Sequence, residues 1–482
     1  MPHQPSPKGV PMMFSRRKLL LSLSSAGIYT ILPSYMACAP KNTHRWWIEG
    51  GYAATQEEVD LTNLTVEGEI PKGLNGLYIR NGGNFKGKEA PHYFVGDGML
   101  HGIWLENGQA LRYKNRWVNT SLIQHNKKPS LNREDNMSNT SIIYYGGRLL
   151  SLMEIGFPYE IKKDLSTKGV YKFDGTLQSA VTAHPKVHPK TGNLHFFGMN
   201  FFSNPYLNYR IADVDGKIIK RVDLDLPASS MQHDFQCTQN YALFLDLPIV
   251  FSKLKAVSGG FPYTWKGDKY QARIGVLPHN GQANDIRWFS IQTGFVFHTL
   301  NAFENSQGEI ILQVSRMDKM WERNPYDINE HSNLYQYRIH PQKGLISEGP
   351  LHDRRVDFGI VDERFSGKEH KHSFFSTLTA TGDLPTDVPR FSGVCAYHNN
   401  GEERDVYLLE DYEHGGEFTF VPRHSKAPEG DGFLLGYVYN GREDTSTLDI
   451  FDTVHLAAGP VARIHIQRRV PFGFHGVFVP SA

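Results

Sequence analysis

Cysteine is almost missing from this chain. Its 482 residues contain three, Cys38, Cys237 and Cys395, an odd number without paired spacing, so no disulfide framework is expected. An excess of one charge is missing too. The 51 Lys and Arg nearly balance the 50 Asp and Glu, for a net charge of +1. With no basic run either, nothing attracts a polyanion, and nucleic acid is not expected as a partner. The apolar stretch from Leu19 to Leu32 is too short for a transmembrane helix. Beyond it, helical periodicity is scarce, and no crisp internal repeat shows at a fixed period.

The N-terminus reads as a targeting segment over residues 1–42, either an export signal or an N-terminal anchor. Ser15-Arg16-Arg17-Lys18-Leu19-Leu20 resembles a twin-arginine motif, and Met36-Ala37-Cys38 has the form of a lipoprotein cleavage site. This predicts export to the periplasm or a membrane-anchored protein. The alternative is a cytoplasmic protein held at the membrane by its apolar N-terminus. Residues 43–482 remain as one domain.

That remainder repeats one texture. Short β-rich runs alternate with glycine, asparagine and aspartate turns. Gly76–Arg80, Ser141–Tyr145, Arg148–Leu152 and Gly308–Val314 are such runs, and the Tyr145-Gly-Gly-Arg148 junction is a two-glycine hairpin signal. Many short strands without helical alternation predict an all-β sandwich, barrel or propeller. Length favours the propeller, because about 430 residues over seven blades gives roughly 60 per blade. Aromatic residues make up 12% of the chain and glycines number 45. Those figures suit an all-β core, or a long apolar tunnel, closed by tight turns.

Histidine is plentiful, with 22 in the chain. Most of these serve ordinary hydrogen bonding; His188, His195, His370, His372, His398, His414 and His424 are read that way. Four others stand in apolar or turn-forming contexts: His184 in Ala-His-Pro-Lys, His233 in Met-Gln-His-Asp-Phe, His298 in Phe-Val-Phe-His-Thr-Leu-Asn-Ala-Phe-Glu, and His475 in Gly-Phe-His-Gly. They lie 49, 65 and 177 residues apart, close to one, one and three blades. Residues at that spacing converge only where inner strands meet on the propeller axis. Imidazole suits Fe, Zn, Cu and Ni, and a structural zinc site more often includes cysteine. Four neutral imidazoles leave a divalent iron its full charge and open positions, which points to oxygen chemistry.

These motifs, together with Ile79-Arg80-Asn81-Gly82, Gly96-Asp97-Gly98-Met99-Leu100-His101 and Asn115-Arg116-Trp117-Val118, resemble the carotenoid cleavage oxygenases. The resemblance runs from about Trp46 to the C-terminus, and Gly294–Glu304 is especially similar to the bacterial apocarotenoid oxygenases. It implies an all-β, seven-bladed β-propeller with the metal on the central axis. It also implies Fe(2+) held by His184, His233, His298 and His475. Three acids behind the ligands are implied as well. Glu154 in Leu-Met-Glu-Ile-Gly and Glu417 in Gly-Glu-Phe-Thr-Phe match the family's glutamates. At the third position Asp357 stands in Val-Asp-Phe-Gly, one methylene shorter. A backbone shift, a water bridge or Glu363 would then make up the difference. Thr140, in Asn-Thr-Ser, matches a threonine that faces an open iron position in relatives.

The same resemblance implies a dioxygenase that uses O2 to split a conjugated double bond of a carotenoid or apocarotenoid, giving retinal or a similar apocarotenal plus a second aldehyde. Phe297 would line the substrate tunnel. Stilbene-cleaving relatives hold a phenol with a lysine just before the first acid. Met153 stands there instead, and a thioether cannot donate that hydrogen bond. A stilbene-cleaving dioxygenase and a catalytically silent ligand-binding propeller are the alternatives; animal-type isomerohydrolase chemistry fits the export motif poorly. The apolar stretch from Leu247 to Trp265, with Lys253, Lys255 and Lys266 interspersed, is either a tunnel mouth making peripheral membrane contact or a loop covering a blade.

Overall fold

A computed structural model describes residues 44–87, 91–127, 130, 132–258, 261–328, 330–379 and 389–481. The targeting motif and Cys38 lie outside the described residues. Among the described residues no helix is long and apolar enough to cross a membrane.

Strands dominate, and the only α-helices described are Ser121–Gln124 and Lys253–Val257. The strands form seven antiparallel blades. Blade 2 begins at Ser141–Tyr145, blade 3 at Lys186–Val187, blade 4 at Phe235–Cys237 and blade 5 at Phe295–Glu304. The long strand Gly344–Val361 serves two blades. Its first part pairs with Ser332–His340 at the outer edge of blade 5, and from Val356 onward it pairs with His372–Leu378 as the first strand of blade 6. Blade 7 begins at Glu413–His414 and Thr419–Pro422, both pairing Gly432–Asn440.

Blade 1 and blade 7 are each completed from the opposite end of the chain. The last strand, Gly476–Pro480, pairs with Gly76–Asn84 as the innermost strand of blade 1. Thr65–Gly68 pairs with Pro460–His465 as the outermost strand of blade 7. The ring therefore closes twice, and neither closing blade keeps a long unpaired edge at those positions.

Blade position decides the burial pattern. Ile310–Met317, a middle strand, is buried at every residue because both of its faces meet neighbouring blades. The outer strand Ile218–Leu224 alternates exposed and covered positions, as a half-solvated strand should. Seven clusters of the core accordingly lie between blades, one for each pair of neighbours. Ile79, Leu100 and Ile142 join blades 1 and 2, and Leu243, Ile274 and Leu312 join blades 4 and 5. The Tyr-Gly-Gly-Arg junction is a tight hairpin: Tyr145 pairs with Arg148, and Gly146 and Gly147 have φ of 53° and 74°, which only glycine adopts at little cost.

Candidate metal centre

The first strand of each blade brings one selected side chain to the axis. Thr140 precedes the first strand of blade 2, His184 that of blade 3 and His233 that of blade 4. His298 lies within the first strand of blade 5, Asp357 within that of blade 6. Glu417 precedes Thr419–Pro422 of blade 7, and His475 precedes the closing strand of blade 1. Glu154 follows the second strand of blade 2.

The four histidines converge. One ring nitrogen from each lies within 4.8 Å of the others, and the Nε2 atoms of His184 and His233 are 3.1 Å apart. The rings of His184 and His475 are 4.4 Å apart centre to centre, and those of His298 and His475 are 5.1 Å apart. Of the histidines read as ordinary, none belongs to this group. Three acids stand behind three of the rings. His233 Nδ1 lies 2.9 Å from Glu154, His298 Nδ1 2.8 Å from Asp357 and His475 Nδ1 2.8 Å from Glu417. An imidazole that donates Nδ1–H to a carboxylate keeps its Nε2 lone pair free and its ring orientation fixed.

The short Asp357 side chain reaches His298 by a local backbone departure. Pairing with His372–Leu378 slips between Asp357 and Ile360, and Phe358 takes φ of 52°. The Phe358 amide donates to Asp357 Oδ1 at 2.8 Å, and the Phe358 ring lies 4.8 Å from that of His298. Asp357 thus meets His298 directly, beside a slip in the strand pairing. Glu363 sits in the turn Glu363–Phe365 beyond that strand.

Electrostatics favour a neutral His184 ring. Burial, and then the neighbouring His475, His233, His298 and Lys186, hold the His184 imidazole well below its ordinary pKa. Burial opposes ionisation of Glu154, but its hydrogen bond with His233 works the other way, and the carboxyl lies below its ordinary value.

One positioning residue was not singled out from the sequence. Asp234, next to His233, accepts from the Thr299 amide at 2.8 Å and its hydroxyl at 2.6 Å, and pairs with Lys186 at 2.8 Å. Thr299 follows His298 and Lys186 lies two residues after His184, so one buried carboxylate ties together the backbone around three ligands. The His-Asp-Phe motif carried the residue, but nothing local showed its distant partners.

A cavity of about 180 Å³ opens beside the four rings. Met153 and Phe297 line it, with Thr140, Glu154, His233, His298 and His475 beside the converging rings. The rest of the wall is mostly apolar: Phe94, Val95, Met137, Ile155, Met199, Phe201, Met231, Phe261, Trp321 and Phe474. His92 also belongs to the wall. Burial pushes it down to about 4, and its Nε2 lies 3.1 Å from the Pro325 carbonyl, so it stays neutral. The Thr140 hydroxyl donates to Asn139 at 3.0 Å and stands 3.5 Å from Glu154.

The stretch from Leu247 to Trp265 is a hairpin of Ile249–Phe251 with Tyr263–Trp265, carrying the helix Lys253–Val257. It stands apart from the blade sheets, and Phe261, Pro262 and Tyr263 form part of the cavity wall. Leu254 at its tip is 80% exposed between Lys253 and Lys255.

A propeller with axial histidines, backing carboxylates and an adjoining apolar cavity defines a class of metal-dependent proteins acting on apolar ligands. The comparisons specify the family. Residues 52–480 match the family described as retinal pigment epithelial membrane protein. A carotenoid cleavage oxygenase of Mycobacterium tuberculosis is 30% identical over 90% of this chain and 97% of its own. The lignostilbene dioxygenase of Pseudomonas brassicacearum superposes with a TM-score of 0.82 at 26% identity, covering 92% of this chain and 100% of that one. Cobalt-substituted Synechocystis apocarotenoid oxygenase gives a TM-score of 0.80 at 25% identity, covering 90% and 98%. The chain belongs to the retinal pigment epithelial membrane protein family, the carotenoid cleavage oxygenases.

Proposed function

We propose that the protein is an iron(II) dioxygenase that cleaves one conjugated double bond of an apocarotenoid, with retinal or a similar apocarotenal as one of two carbonyl products. The observation that carries this reading is the apolar cavity meeting four convergent imidazoles and no thiolate. The donor set fits iron, since imidazole nitrogen suits it and the three backing acids orient the rings. When bound, iron supplies the redox chemistry that lets O2 react with a closed-shell alkene.

The side chains do the rest. His184, His233, His298 and His475 hold the ion, and Glu154, Asp357 and Glu417 each keep one ring's Nδ1 proton. Three carboxylates behind the rings would also offset the charge of a divalent ion in a buried place. Phe94, Phe297 and Trp321 fix a flat polyene by ring contact, while Met137, Met153, Met199 and Met231 adapt to its methyl branches. Thr140 narrows the approach at the metal end. No side chain need move a proton, because both oxygen atoms end in carbonyl groups; the protein contributes position and exclusion of water.

An apocarotenal or apocarotenol suits the cavity better than a full carotene, because one polar end can face solvent while the chain lies inside. A stilbene is the alternative, given the likeness to lignostilbene dioxygenase, but Met153 offers no donor for a phenol. The exposed Leu254 between two lysines supports membrane contact at the mouth, where an apolar substrate would enter. The N-terminal motif supports export of the folded protein.

The test is product analysis of iron-loaded protein in air with apocarotenals, carotenes and hydroxylated stilbenes. Two aldehydes from an apocarotenal are expected. Clean cleavage of the stilbene alone would overturn the substrate choice, and no cleavage by fully loaded protein would favour the binding-only reading.

A further inference from the structure

A second group of metal-capable side chains lies away from the axis, where blade 3 meets blade 4. His195 stands in Leu194–Met199 of blade 3, Cys237 ends Phe235–Cys237 of blade 4, and His279 follows Arg273–Pro278 of that blade. One donor atom from each lies within 4.8 Å of the other two. His195 and Cys237 are buried and His279 is half-buried.

The hydrogen bonds sort ligands from bystanders. His279 Nε2 lies 3.0 Å from the Thr238 carbonyl. A carbonyl only accepts, so Nε2 carries the proton and Nδ1 keeps a lone pair. This is the outer-partner arrangement that orients metal-bound imidazoles. His195 Nδ1 lies 2.6 Å from the Tyr209 hydroxyl, which is also 3.3 Å from His279 Nδ1, so a small polar atom already sits between the two rings. His188 packs on both, 5.5 and 5.4 Å away, yet its nitrogens are committed. Its Nε2 meets the Gln239 carbonyl at 3.0 Å, and its Nδ1 accepts from the Lys190 and Thr191 amides. His188 also stands outside the set whose donor atoms converge, so it is a supporting neighbour.

We infer that His195, Cys237 and His279 form a second, structural metal site for a borderline-soft cation of the zinc(II) class, joining blade 3 to blade 4. Two imidazoles and a thiolate are zinc ligands, whereas the axial centre has no sulfur. Zn–N and Zn–S bonds of about 2.0 and 2.3 Å require donors roughly 3.5 Å apart. The donors lie at most 4.8 Å apart, so closure needs them to draw together by no more than about 1 Å. Water or the Tyr209 hydroxyl would complete the shell. Burial holds His195 down to about 2 and His279 down to about 4, and it raises the Cys237 thiol. Binding replaces the Cys237 S–H bond by a metal–sulfur bond, and that proton goes to solvent.

The experiment uses the full-length, iron-loaded protein and anaerobic titration with cobalt(II). Thiolate-to-cobalt charge-transfer absorption should saturate at one equivalent beyond iron, with about one proton released per ion, and added zinc(II) should abolish it. Cys237→Ser should lose the absorption entirely and Cys395→Ser should keep it, both with full iron content and cleavage activity. His279→Gln should weaken cobalt binding by at least about 10-fold, which keeps the test open should Cys237→Ser fold poorly. No charge-transfer absorption in the unsubstituted protein would overturn the site. Equal absorption in Cys237→Ser, or unchanged affinity in His279→Gln, would do the same. Because iron content and cleavage are read separately, failure here leaves the axial centre untouched.

Discussion

At the residue scale, the axial centre depends on three short hydrogen bonds donated by ligand rings to carboxylates. Replacing His298 by alanine should remove most iron and turnover, while His188→Ala should leave both, as metal analysis and product formation will show. Glu417→Gln keeps an acceptor but removes the charge, and loss of such a partner typically costs about 10–100-fold in affinity or activity. Asp357→Ala should fall in that range and Asp357→Asn should lose less, because an amide oxygen can still accept from His298. An unimpaired Asp357→Ala enzyme would show that the bond to His298 is dispensable. Away from the axis, burial pushes the Asp449 carboxyl from 3.8 up to about 7 against the pull of Arg463, 3.3 Å away. With the folded value above the unfolded one, its contribution to stability is complete below about pH 4 and is lost as pH rises through 7. Asp449→Asn stays neutral throughout, and Arg463 keeps Glu413 at 2.9 Å. The melting temperature of this variant should therefore rise relative to the parent between about pH 5 and pH 8; a pH-independent difference would mean that Asp449 is ionised throughout.

At the scale of elements, the two closing strands contribute unequally. Val479, in the last strand, is buried in the cluster between blades 1 and 2. Val66, in the outer strand of blade 7, is 36% exposed. Val479→Ala deletes buried methyl groups and leaves a cavity, at about 2 kcal/mol. Val66→Ala should change stability by less than about 0.5 kcal/mol. Denaturant titration of the pair distinguishes an inner closure that holds the ring from an outer one that mainly covers an edge. The inner closure matters doubly, since His475 immediately precedes it.

At the scale of the whole molecule, the ligands come from blades 1, 3, 4 and 5, so an ion on the axis joins elements far apart in the chain. Binding only the folded state stabilises it, by about 2.7 kcal/mol at a free metal concentration about 100 times Kd. Removing iron with a chelator should lower the melting temperature, and restoring it should recover the loss. An identical melting curve with and without iron would mean that the four rings are held by the blades alone.

The sequence by itself determined the strand texture and the Gly146-Gly147 hairpin, because each is written in a local pattern of apolar alternation and turn residues, and it offered the axial residues as candidates. His184, His233, His298 and His475 stood out by their local contexts, and Thr140, Glu154, Asp357 and Glu417 by the family resemblance alone. Only the tertiary structure decided how they meet. The two-part strand Gly344–Val361, the double closure by Thr65–Gly68 and Gly476–Pro480, and the slip that lets Asp357 reach His298 all depend on pairing across long stretches of chain. Asp234 looked like an ordinary acid until Lys186 and Thr299 were brought to it, and the cavity wall gathers Phe94, Trp321 and Phe474 from three distant segments. Local propensity sets which residues extend and which turn. Where their side chains converge is set by the summed rotation of seven packed blades, and no short window of sequence contains that sum.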